Sequence, residues 1–457
     1  MKRLNGYVAV QLALVIALAA CTPAAPQSSA TQAPQQQSQS AAPTAKPAAA
    51  STKAYTPAAP EPGSDMPSVT VKFGMRPYAD NTFYAIGMDK GWFKDVGIAI
   101  DPQPYGLKTT EDQWVSILLN RQVDINTATC SSLLPPYKTT DQLKCTALAV
   151  TFFGSVMLAN PKLNLKTVGD YAKGGANFND ALKQALTPLV GKTVYVPAAV
   201  SEKEFDEVPF RLAGLELPSY TNLDDAQMLV LAKSDRLDFM HPGGAPIAEQ
   251  LLEAGWTPVY DTGQLLKYGP GGVDSPLEPL VFNNGLASTA DYVNSHQTTI
   301  LRFTSVMFRI FAALQKDNSL YGVYTPYLNS VAGTSLDASG VQRTVENLDP
   351  FVSFEQQTKY FDDKKGAEYY ANSMGALIKA LETSGNIPTG IAPDDVMWAA
   401  PIYRELVDYK TKTDALFKTA QGKQLAADKQ QTLDKAHQFY DWYDFLDAFR
   451  LATAAVS

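Results

Sequence analysis

Apolar and polar positions alternate over Val69–Phe73, with Val69, Val71 and Phe73 on one side. This predicts a half-buried strand that breaks at Gly74-Met75-Arg76-Pro77 into a polar loop. A helix follows, with Phe83, Ile86, Gly87 and Trp92-Phe93 at helical spacing and Lys90-Gly91 at its end, and Ile98-Ala99-Ile100 opens a second strand. Strand, helix and strand in this order make a parallel βαβ unit. Ligands of such sheets sit beyond the carboxyl ends of the strands. The loop Arg76–Phe83, carrying Arg76, Tyr78, Asp80, Asn81, Thr82 and Phe83, is therefore the first candidate binding segment.

The same pattern continues along the chain. Asp112–Asn120 reads as a helix with Trp114, Ile117 and Leu118 inward, and a short strand Val123–Asn126 leads to a second polar loop, Thr127–Ser132. There Thr129 and Ser131 are site candidates, and the serines can equally serve as caps. Lys144–Phe153 is a third strand that brings Phe152 and Phe153 to the same edge, and the chain then continues as a crossing strand through Ala159. Gly191–Val196 is a strand, Pro197–Ser201 a loop with Ala198 and Ser201, and Glu202–Ala213 a helix whose first carboxylates favour its dipole. After the helix Asp224–Ala232 and the strand Arg236–Met240 comes His241-Pro242-Gly243-Gly244. Gly243 lets the backbone approach a ligand closely, and His241 either meets that ligand or bonds a backbone carbonyl. Pro279–Asn284 is a returning strand, and Ile300, Phe303, Met307 and Phe311 mark the core face of a long helix, Ala290–Leu314. The tail Thr411–Ser457 concentrates Phe439, Tyr440, Trp442, Tyr443, Phe445 and Phe449, more aromatic surface than one stripe can hide, which predicts docking onto the body.

Composition changes this picture chiefly at the amino terminus. Lys2 and Arg3, an apolar run Tyr7–Ala20 and Leu18-Ala19-Ala20-Cys21 form an export signal ending in a lipobox, which makes Cys21 the site of diacylglycerol attachment. The apolar run is shorter than the ~20 residues a membrane-spanning helix needs. Residues 22–67, rich in Ala, Pro, Gln, Ser and Thr, have little to bury and predict a disordered tether. The rest of the 457 residues suffices for two lobes. A net charge of −8 argues against nucleic acid as a partner. Beyond Cys21 there remain Cys130 and Cys145. An exported pair can bridge, but one follows a strand and the other begins the next, which in a parallel sheet puts them at opposite ends and predicts no disulfide. No phosphate-binding glycine loop, metal-ligand spacing or nucleophile elbow is found, so no cofactor, metal or catalytic residue is expected.

Several phrases together resemble the sulfonate, nitrate and thiamine-precursor group of ABC-transporter substrate-binding proteins. They are KGWFKDVGI at Lys90–Ile98, LLNRQVDINTA at Leu118–Ala128, the strand, loop and helix from Gly191, the element Asp224–Met240, and Met374–Leu406. The resemblance implies a bilobal α/β fold of the periplasmic-binding-protein type, two parallel or mixed sheets joined by two crossings. Lobe 1 would span residues 68–159 plus 282–406 and lobe 2 residues 160–281, with 407–457 a helical extension and Leu163–Leu189 a peripheral loop insertion. It implies a monomeric, lipid-anchored, extracytoplasmic protein that captures a small solute and hands it to an ABC permease and ATPase. A membrane sensor is the alternative partner, and an enzyme of the thiamine-pyrimidine synthase type lacks its cysteine cluster here. The ring-bearing cleft segments, with Arg76 beside Asp80, point to a planar heterocyclic or aromatic cargo. Backbone N–H groups at helix starts keep a sulfonate or nitrate open.

Overall fold

The computed structural model describes residues 54–457 apart from 64, 198–199, 272–274, 278–279 and 281, so the export signal, Cys21 and most of the tether lie outside the described residues. Five strands come first: β1 (Val69–Met75), β2 (Ile98–Asp101), β3 (Leu107–Lys108), β4 (Ile125–Thr129) and β5 (Leu143–Phe152). The chain then builds β6 (Val156–Ala159), β7 (Thr193–Val196), β8 (Ser219–Asn222), β9 (Phe239–Met240) and β10 (Thr257–Asp261), and returns as β11 (Phe282–Thr289). These strands make two mixed sheets, ordered β2-β1-β4-β11-β5, with β3 also on β1, and β10-β6-β9-β7-β8. In the first, β1 is parallel to β2, β3 and β4, while β11 runs antiparallel between β4 and β5. The expected α/β, two-lobed, mixed-sheet fold is the observed one.

Each lobe has its own core, because each sheet buries apolar side chains under helices. The helix Gln297–Leu314 puts Ile300, Phe303, Met307 and Phe311 into the first core, as their spacing predicts. The expected single helix Ala290–Leu314 is broken at His296, where Ala290–Ser295 ends and Gln297 begins. β6 pairs with β9 and β10, so the chain changes sheets at Phe153–Ser155 and not after Ala159. The expected peripheral loop Leu163–Leu189 is instead two helices, Val168–Lys173 and Phe178–Leu186, whose Leu182, Ala185 and Leu186 are buried in the second core. A capping box at Thr167 and Asp170 starts the first of them.

Three further expectations are corrected. The tether stops short of Pro67, because the segment from Ala54 is strapped to the first lobe. The Tyr55 hydroxyl and the Ala58 N–H both donate to Glu405, and Arg450 donates to the carbonyls of Glu61 and Asp65. The boundary at 407 falls inside a continuous helix, Ala399–Ala420. Cys130 and Cys145 are joined by a disulfide, with Cα atoms 5.5 Å apart. The reason is topological: after β4 the chain turns through Cys130–Leu133, which packs back over β11 and β5 and does not extend past the sheet edge.

The tail docks as its aromatics predict. Phe439 and Phe445 are buried, and Trp442 packs beside the Arg309 guanidinium, 3.9 Å from its ring centre. Among the described residues no helix is long and apolar enough to cross a membrane.

Candidate functional site

The carboxyl end of β1 turns inward at Arg76, whose side chain is buried. Its backbone N–H donates to Thr127 Oγ1 at 3.0 Å, so the second loop anchors the first. Nη1 donates to Glu111 at 2.8 Å and to Thr129 Oγ1 at 3.1 Å, and Nε to Asn81 Oδ1 at 3.3 Å. Burial pulls this guanidinium down, but Glu111, Asp80 and Tyr78 outweigh it and hold the charge more firmly than usual. The Tyr78 ring lies 5.4 Å from the guanidinium carbon. Asp80 is buried and accepts from the side-chain amides of Asn81 and Asn284. Burial pushes its carboxyl up, and Arg76 and the two amides pull the other way.

The predicted helix begins earlier than Phe83, as short pieces over Ala79–Thr82, Tyr84–Asp89 and Trp92–Asp95. That shift moves two candidates away from the cleft. Phe83 is fully buried and packs on Tyr84, Phe311 and Phe351, with ring centres 4.1, 5.0 and 5.0 Å away, so it is core. Thr82 Oγ1 donates to the Tyr78 carbonyl at 2.9 Å and serves the backbone. Ser131 sits in the turn that carries the disulfide, its carbonyl accepting from Leu134 N–H at 3.1 Å. Ala198 and the side chain of Ser201 lie outside the described residues.

The second lobe answers from the end of β9. His241 is fully buried, and its Nδ1 lies 2.9 Å from Asp206 Oδ1, which also accepts from the Tyr260 hydroxyl at 2.6 Å. Its ring is thus held by a carboxylate, a partner not among those considered for it. Gly243 N–H donates to Asp225 Oδ1 at 3.0 Å. Burial pushes the Asp225 carboxyl up to about 6, although the N–H groups of Gly243 and Gly244 pull it down. A Cβ on Gly244 would lie 3.2 Å from Tyr78 Cδ1, so here the first lobe meets the second. Phe152 packs toward the second core, and Phe153 N–H donates to the Leu348 carbonyl at 2.7 Å.

Arg76, Tyr78, Asp80, Asn81 and Thr129 are therefore brought together, with Gly243 facing them through its neighbour Gly244. Sequence reasoning missed Glu111, Asn284 and Asp349 in the first lobe and Asp206 and Asp225 in the second. Asn284 carried a signal, as a polar residue on the returning strand, which begins at Phe282 and continues to Thr289; Asp349 carried none. Among the described residues no group of three or more His, Cys, Asp or Glu is placed to hold a metal ion. A groove of about 710 Å³ on the last two long helices, lined in part by His437, Gln438 and Trp442, includes none of these cleft residues.

Solved structures of periplasmic binding proteins superpose on this two-lobed arrangement. The aliphatic sulphonate binding protein SsuA from Escherichia coli superposes over 76% of this chain and 100% of its own, with TM-score 0.50 and 12% identity. The nitrate-binding protein NrtA from Synechocystis PCC 6803 superposes over 74% of this chain and 88% of its own, with TM-score 0.50 and 14% identity. The chain has the periplasmic-binding-protein fold. No family model matches the sequence, and no curated protein does.

Proposed function

We propose that this periplasmic-binding-protein chain is an extracytoplasmic solute-binding lipoprotein of an ABC importer. It is anchored through Cys21, captures a small planar heterocyclic or aromatic solute between its lobes and delivers it to a permease. The observation that carries the reading is the convergence of Arg76, Tyr78 and Asp80 on Gly243-Gly244 across the lobes, where polar groups surround the Tyr78 ring in a place that hinge motion can open. The Cys130–Cys145 disulfide supports an oxidising, extracytoplasmic setting. An anionic cargo is a second reading, favoured by Arg76 Nη2, which is buried with no partner among the described residues. Against it, Glu111 and Asp80 already offset that charge.

A thermal-shift panel of pyrimidines, flavins and aromatic carboxylates against taurine, nitrate and bicarbonate separates the two. At a hundredfold excess over Kd a true ligand stabilises by about 2.7 kcal/mol, and it should also lower the radius of gyration in solution scattering. A response to taurine or nitrate with none to any heterocycle overturns the choice of cargo; tight binding with an unchanged radius overturns closure. Gly244→Val should weaken the successful compound about tenfold or more, because the new side chain meets Tyr78 and the Asp225 carboxylate, 3.0 Å from the Cβ position. Cys21→Ser should release the protein from the membrane; unchanged retention and mature mass would remove the lipobox from the account.

A further inference from the structure

Asp349 is buried with neither carboxylate oxygen hydrogen-bonded among the described residues. An interior carboxylate left in this state is strongly unfavourable unless it is neutralised or paired. The same chain shows how it satisfies a buried acid for structure: Asp447 accepts from Arg302 Nε and Nη2 and from Arg450 Nη1, at 2.6, 2.9 and 2.6 Å. Asp349 has no such partners, and its surroundings are incomplete in the same way. The hydroxyls of Tyr84 and Tyr324 are buried and unpartnered among the described residues, as is Asn284 Oδ1, whose amide nitrogen binds Asp80. These groups belong together, because Asp349 and Tyr324 each feel the charge of Asp80, Tyr324 feels Asp349, and Tyr84 feels Asp80. The fold supplies the juxtaposition: the piece Ala79–Thr82 packs against the helices Tyr321–Ala332 and Ala338–Asn347, and Asp349 follows the second of these.

The place matters as much as the chemistry. The segment 348–351 pairs with the end of β5, through Phe153 N–H to Leu348 O at 2.7 Å and Thr151 N–H to Pro350 O at 3.3 Å, where the chain crosses between lobes. Leu348 itself packs on a cluster of the second lobe. Lobe parting, which the solute-binding reading above requires, would reach a group sealed here. Resting on the solute-binding reading above, we propose that Asp80 and Asp349 form the seat for a nitrogen cation of the cargo, an ammonium or amidinium head, with the Tyr84 and Tyr324 hydroxyls completing its hydrogen bonds. Two coupled buried carboxyls hold one proton or one cation more readily than two negative charges. Arg76, the cation on this side, offsets Asp80 in part, but its hydrogen bonds go to Glu111, Thr129 and Asn81, and neither Asp349 oxygen receives one among the described residues.

The test is calorimetry on the full chain with benzamidinium and benzylammonium, their neutral isosteres benzamide and benzyl alcohol, and the anions benzoate and benzenesulfonate. The cations should bind at least about tenfold tighter than the neutral compounds. Binding should strengthen with rising pH, by up to about tenfold per unit, as Asp80 and Asp349, faced by Arg76, Tyr84 and Tyr324, give up the proton that the cation displaces. Asp349→Asn should erase the preference for the cations over their neutral isosteres, and Tyr324→Phe should weaken the cations about two- to tenfold, the worth of one hydrogen bond. Cations no better than their isosteres, or an Asp349→Asn variant that keeps the preference, overturn the seat. Scattering keeps the two readings apart: benzoate or benzamide closing the lobes while the cations do not sinks the seat alone, and closure by no compound in any arm sinks both.

Discussion

Replacing Asp447 by Ala should lower the unfolding free energy by about 3–5 kcal/mol, the range for removing one partner of a buried ion pair. Arg302 on the helix Gln297–Leu314 and Asp447 on Phe445–Val456 are both buried and share a bidentate contact, so the pair fastens the C-terminal extension to the core of the first lobe. Burial alone would raise the Asp447 carboxyl, but hydrogen bonds from Arg302 and Arg450 hold it below its usual value. Its neighbour Asp444 goes the other way: burial, with Asp447's charge, pushes it well up. Without Asp447, Asp444 can ionise and shelter Arg302, which should trim the loss. Asp447→Ala with Asp444→Asn should therefore be less stable than either single variant. Replacing the pair together, Arg302→Met with Asp447→Leu, should be far milder than Asp447→Ala, because no charge is then left buried alone. Chemical denaturation followed by tryptophan emission checks this, since Trp442 sits on the Arg309 guanidinium and reports undocking. A loss under about 1 kcal/mol for Asp447→Ala would mean that the extension is held by apolar packing instead.

The sequence spoke most clearly where local pattern and burial agree. β1 could be read because Val71 and Phe73 face a core with polar neighbours between them, and the strand and helix after Gly191 could be read from the change of period. Arg76 and Asp80 could be found because a polar loop after a strand is where the fold puts chemistry. Phe83 misled because a ring in that loop and a ring in the helix behind it look alike until the helix start is known, and the start lies at Ala79. The disulfide was hidden by a long-range event, the insertion of β11 between β4 and β5, about 140 residues after Cys145, over which the turn Cys130–Leu133 packs back. The second-lobe helix Phe178–Leu186 does carry a local signal, since Ala181, Leu182, Ala185 and Leu186 recur at helical spacing. Asp349 had none, since nothing local tells a buried carboxylate from an exposed one; only the packing of Ala79–Thr82 on the helices before it makes it a neighbour of Asp80.

Stability should fall as pH rises from about 4 to about 6, and Asp225 should account for much of the slope. Its carboxyl titrates near its ordinary 3.8 when unfolded and is pushed by burial to about 6 when folded. Between those values the folded state holds more protons than the unfolded one, so the unfolding free energy declines with pH. Below about 3.8 both states are protonated and no penalty exists; above about 6 both are ionised and the whole penalty applies, up to about 3 kcal/mol from the separation of the two values. Asp80 and Asp349, also raised chiefly by burial, slope in the same direction, whereas Asp447, held low, is stabilising above its unfolded value and loses that contribution only in stronger acid. The variant Asp225→Asn isolates the term. The amide oxygen can still accept from Gly243 N–H, so the variant should be more stable than the parent at pH 7. Its advantage should shrink steadily toward pH 4 as the parent's carboxyl takes up its proton. Denaturation midpoints measured at each pH decide it: parallel curves for parent and variant from pH 4 to 7 would show that Asp225 keeps an ordinary value, which its burial beneath Gly243 and Gly244 argues against.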